Sequence, residues 1–77
     1  MELTSVERKV YGAMIINSDN EGRVSMNSTQ IANAIGYKAM GGIITYAIKT
    51  LQFKNLISQT DKNEYMVFVW VMHVTLR

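Results

Sequence analysis

The 77-residue chain contains no cysteine and no proline, has a single histidine, and carries no Asp or Glu between Gly22 and Thr60. Without cysteine, disulfides and thiolate metal sites are excluded, and a small domain lacking both is expected in a reducing cytoplasm. A zinc site built on His73 alone would need several clustered carboxylates. Glu2, Glu7, Asp19, Glu21, Asp61 and Glu64 fall instead at caps and turns, where solvation accounts for them. No metal and no cofactor are therefore expected. Long hydrophobic runs are also missing. The longest, YMVFVWVM (65–72), is far short of the roughly 20 residues of a membrane helix, and MELTSVERKV lacks the basic start and apolar run of a signal peptide. A soluble, cytoplasmic protein with no membrane partner is the expectation. Catalytic patterns are lacking as well: Gly41-Gly42 has neither the spacing nor the Lys-Ser/Thr ending of a phosphate loop, and Ser25 and Ser28 have no histidine nearby in sequence. No enzymatic activity is expected.

What is present suits one small globule. Apolar residues make up 48% of the chain and charged residues 18%, too apolar a balance for a disordered tail, and the length leaves room for one domain over 1–77. The net charge of +2 is unevenly placed: the acid-free stretch holds Arg23, Lys38, Lys49 and Lys54, whereas the rest of the chain sums to −2. Such a stretch fits an anionic partner, because a carboxylate near a phosphate costs Coulomb energy.

Local signals place the elements. TSVE, starting at Thr4, is a capping box, and Val6, Val10 and Met14, with Ala13 and Ile16 also near that spacing, predict a helix over 4–17 that NSDNEG (17–22) ends. RVSM (23–26) is a short β-compatible segment. NSTQ, starting at Asn27, is a second capping arrangement, followed by an apolar face in IANAI, so a helix is predicted over 28–35 with Gly36 as its left-handed stop. A third helix follows over 41–54, with Asn55 able to take the same kind of stop. LISQT (56–60), the turn DKNE (61–64) and YMVFVWVMHVTL (65–76) predict a β-hairpin. In the third helix, an advance of about 100° per residue gathers positions 44, 47, 48, 51 and 55 on one side and Gly42, Tyr46, Lys49 and Phe53 on the other.

The order helix, strand, helix, helix, strand, strand, with STQIANAIGY followed by IITYAIKTLQFKNLI, resembles the winged helix-turn-helix family of bacterial and phage transcription regulators. The resemblance covers residues 3 to about 70. Ile31, Ala32, Ile35 and Gly36 match the first helix of the motif and its turn. Ile44, Ile48 and Leu51 match the buried face of the second, and Leu56 and Ile57 match the apolar pair after it. The resemblance implies an α+β fold of three helices and a small antiparallel sheet that binds double-stranded DNA, with helix 41–54 in the major groove and a wing at 61–64.

Where family members often place Ser, Thr, Asn or Arg at the start of the reading helix, this chain has Met40, Gly41 and Gly42. Two readings stand: the glycines loosen the turn, or they leave backbone amides open to a phosphate. Base contact would then fall to Thr45, Tyr46 and Lys49, with Ser28, Thr29 and Lys38 on the DNA backbone and Lys62 and Asn63 at the wing tip. An outer Tyr46 and Phe53 also fit a protein partner, unless Phe53 tucks beneath the first helix or the sheet. A strand over 65–76 would span about 40 Å against about 17 Å for 56–60. Either its end is a loose tail, or residues 70–77 pair across a homodimer interface.

Overall fold

The computed structural model describes residues 2–36 and 41–68. Six elements follow in the order α1 (Ser5–Ile16), β1 (Arg23–Ser25), α2 (Ser28–Ile35), α3 (Gly41–Phe53), β2 (Ile57–Asp61) and β3 (Glu64–Val67). The fold is α+β, three helices with a three-stranded antiparallel sheet, and is compatible with a winged helix-turn-helix arrangement. The strand order is β1-β3-β2, so the last strand of the chain sits in the middle. Val24, Tyr65 and Gln59 share one row across the sheet, and Ile57 faces Val67.

Helix ends obey local chemistry. At α1 the Glu7 amide donates to Thr4 Oγ1 and the Thr4 amide to Glu7 Oε1, both at 3.2 Å. At α2 the Asn27 and Gln30 side chains each accept from the other's amide at 2.8 Å. Each box satisfies two amides that a helix start leaves without partners. Gly36 stops α2 in the left-handed region at φ 85°. Asn55 does the same after α3 at φ 62°, while the Asn55 and Leu56 amides donate back to the Gln52 and Leu51 carbonyls at 3.0 Å. That paired closure satisfies the last carbonyls of the helix and turns the chain into β2.

One core serves all six elements. Val10 and Met14 of α1, Ile31 of α2, Ile44 and Leu51 of α3 and Ile57 of β2 are fully buried, with Tyr11, Val24, Ala32, Ala47, Ile48, Leu56, Tyr65 and Val67 around them. A side chain such as Leu51 contributes about 2 kcal/mol on leaving water, so the inner stripe of α3 holds the helix in place. The helical period thus locates the core face at 44, 47, 48 and 51. Asn55 departs from it: it lies beyond the helix, exposed, because its left-handed backbone ends the periodic run. Ile16 is 83% exposed, since it occupies the last turn of α1 after the core face has rotated away. Ile35 is only half-buried.

Within the described residues the strand expected over 65–76 forms a ladder over Glu64–Val67. Val67 faces Ile57, the first residue of β2, and no ladder partner lies further on among the described residues. The Val67 amide donates to the Gly22 carbonyl and the Phe68 amide to the Leu56 carbonyl. Residues 69–77, including His73 and the segment expected to pair across a dimer, lie outside the described residues.

Candidate nucleic-acid interface

The outer stripe of α3 arises from the same period that builds its inner one. Gly42, Tyr46, Lys49 and Phe53 recur every three to four residues and are all exposed, with Thr45 exposed beside them. Phe53 is 86% exposed and Tyr46 71%, so Phe53 does not tuck beneath α1 or the sheet. The side chains of Thr45, Tyr46 and Lys49 have no hydrogen-bond or ion-pair partner among the described residues. Thr50, on the flank, is half-buried and donates its hydroxyl to the Tyr46 carbonyl at 3.0 Å. At the start of α2, Thr29 is exposed and Ser28 half-buried.

Gly42 lies inside α3, and a Cβ built on it would meet nothing within 4 Å. Packing therefore does not demand a glycine there. Lys38 and Met40 lie outside the described residues, and of Gly41 only the helical backbone is described.

Lys54 does not belong to the exposed face. Its Nζ donates to Glu7 Oε1 at 3.1 Å and to the Glu2 carbonyl at 2.8 Å, clasping the end of α3 to the start of α1. Glu7 is only 5% exposed, which corrects the expectation that solvation accounts for every acid. Its carboxyl is held below its ordinary pKa, first by the Lys54 hydrogen bond and then by the Thr4 amide, against the cost of burial. The pairing joins residues 47 positions apart, so no local pattern could disclose it. Arg23 is likewise no part of the α3 stripe: it sits on β1, with Nε 4.0 Å from Glu21 Oε1 and both side chains exposed. Of the four cations in the acid-free stretch, Lys49 is the one displayed on α3 among the described residues.

The wing tip is a two-residue turn, Lys62-Asn63, with Asn63 left-handed at φ 63°. Lys62 is exposed and Asn63 is half-buried. Asp61 and Glu64 face one another directly below the tip, after a bulge between Gln59 and Asp61. The other acid-rich segment is the loop before β1. There Asp19 Oδ1 accepts from the Glu21 amide at 2.8 Å and the Arg23 amide at 2.9 Å. These backbone hydrogen bonds, that from Arg23 foremost, hold the Asp19 carboxyl below its ordinary value. An aspartate followed by a short polar turn is the pattern that could have disclosed this clasp.

Tyr11 is a further residue without a sequence signal. Its hydroxyl donates to the Phe68 carbonyl at 3.0 Å, and burial raises its pKa.

No protein-family model, no curated protein and no solved structure matches the chain. Among the described residues no helix is long and apolar enough to cross a membrane, and no three of His, Cys, Asp and Glu lie together as a metal site would need.

Proposed function

We propose that this protein is a small winged-helix DNA-binding protein, a transcription regulator that lays α3 in the major groove of double-stranded DNA. The observation that carries the reading is the outer stripe of α3. It displays Thr45, Tyr46 and Lys49 without internal partners among the described residues, within a segment that has no carboxylate from residue 22 to 60. Thr45, Tyr46 and Lys49 make the base contacts. Ser28, Thr29 and the amides of Gly41 and Gly42, at the starts of α2 and α3, together with Lys38, hold phosphates. So few side chains give modest sequence discrimination. A salt titration of mobility shifts with mixed-sequence duplexes tests this. Binding weakens with salt by about 0.9 logarithmic units per phosphate contact and tenfold of salt. Lys38→Glu with Lys49→Glu abolishes retention, and a chain that retains no duplex at low salt refutes the reading.

A second reading has its own observation. Tyr46 and Phe53 are two turns apart on one stripe, 71% and 86% exposed, an unusual pair on a solvated face. A protein partner held there would bind independently of salt and be lost on Tyr46→Ala. Sedimentation mass decides between a homodimer and a monomer with a loose tail, and cell fractionation checks the cytoplasmic location.

A further inference from the structure

Wings are an obvious place for phosphate contacts, yet this one is built unlike a phosphate binder. Lys62 is its only cation, and residues 61–64 carry a net charge of −1. Two of the donors at or beside its tip are turned inward, although the Lys62 ammonium is not. The Lys62 amide donates to Asp61 Oδ1 at 2.7 Å and the Thr60 hydroxyl to the Glu64 carbonyl at 3.3 Å. The Met26 amide ties down the Asn63 carbonyl at 2.9 Å, which holds the tip against the strand-to-helix turn before α2. Asp61 and Glu64 are cross-strand partners, both exposed. Like charges placed opposite one another weaken a hairpin, and a neutral Asn at 61 would hold the Lys62 amide as well as Asp61 does, so the fold does not need the second negative charge.

Resting on the DNA-binding reading, we infer that the wing is a repulsive element: Asp61 and Glu64 keep the hairpin tip off the phosphate backbone and confine duplex contact to α2 and α3. Phosphate attraction is independent of sequence. A carboxylate pair at the wing tip therefore lowers binding to every duplex, and the base contacts of α3 then decide a larger share of the affinity. Discrimination by an unfavourable contact is as effective as discrimination by a favourable one.

The test is fluorescence anisotropy with a labelled mixed-sequence duplex, comparing the wild type, Asp61→Asn/Glu64→Gln, and Lys62→Ala across a salt series. Asn at 61 keeps an oxygen for the Lys62 amide, so the double variant removes charge and preserves the turn, which circular dichroism verifies. The double variant is expected to bind roughly tenfold tighter at low salt, and Lys62→Ala to change affinity by less than about twofold with an unaltered salt slope. A wild type that binds no duplex at low salt overturns the DNA-binding reading and this inference with it. Equal affinity of wild type and double variant overturns it while DNA binding stands. So does a fall of about 0.9 in the salt slope for Lys62→Ala, since a drop of that size means that Lys62 neutralises one phosphate in the wild type. If neither protein binds, both readings fall.

Discussion

The sheet end and the outer face of α3 handle polar groups in opposite ways. Around the sheet, several side chains are bound to the chain itself: Asp19 holds two amides, Asp61 holds one, and the Thr60 hydroxyl serves the Glu64 carbonyl, while Lys62 extends from the tip. On α3, Thr45, Tyr46 and Lys49 hold nothing among the described residues. Charge divides along the same line, with four of the six acids on the loop before β1 and the wing and none in α2 or α3. Groups already satisfied internally maintain shape, and groups left unsatisfied are available to a partner.

The glycines break this comparison most directly. Gly22 has φ +84°, and a Cβ on it would lie 2.7 Å from the Val67 carbonyl oxygen. That oxygen belongs to backbone already held close, because the Val67 amide donates to the Gly22 carbonyl at 2.7 Å. Gly22→Ala should therefore destabilise by about 1–3 kcal/mol in urea unfolding, through a strained conformation and a forced separation of loop and β3.

Acid should reach the satisfied carboxylates next. Glu7 and Asp19 both titrate lower folded than unfolded, so the unfolded chain takes up more protons as pH falls. The stability they contribute is complete above their ordinary values of 4.5 and 3.8 and is lost as pH drops through the lowered folded values. Thermal melts from pH 6 downward should show this decline, and Glu7→Gln should reduce its slope.

The α3 face should respond in the other direction. Gly42→Ala meets open space and restricts the unfolded chain, so it should stabilise by about 0.4–1 kcal/mol. Loss of duplex affinity in that more stable variant would show that the uncovered amides matter. Smallest of all, Tyr46→Ala and Phe53→Ala should each leave unfolding free energies within about 0.5 kcal/mol of wild type, because both side chains are mostly in water. A larger loss would mean that these aromatics serve the fold.

Much of the fold was legible because its signals are local. Thr4 and Asn27 announce helix starts through residues three positions on, Gly36 and Asn55 announce stops, and the period of 44, 47, 48 and 51 locates the core face. What escaped is non-local or depends on partners. Glu7 reads as a solvated cap until Lys54 arrives from the far end of α3, and the same contact neutralises one of the four cations counted in the acid-free stretch. The candidate interface was legible as a stripe of exposed positions, since Tyr46, Lys49 and Phe53 follow from the period. The committed Lys62 amide of the wing was not, because a two-residue turn that consumes its own amide looks in sequence like any polar loop.

The placement of the last strand in the centre has a consequence for how copies of the chain can meet. Among the described residues β3 is flanked on both sides, which leaves as free edges β1, only three residues long, and β2, interrupted by the bulge after Gln59. Open strand edges are templates for runaway pairing, and short or kinked ones template poorly. A neighbouring chain approaching this ladder sideways finds too few aligned amides and carbonyls to extend it.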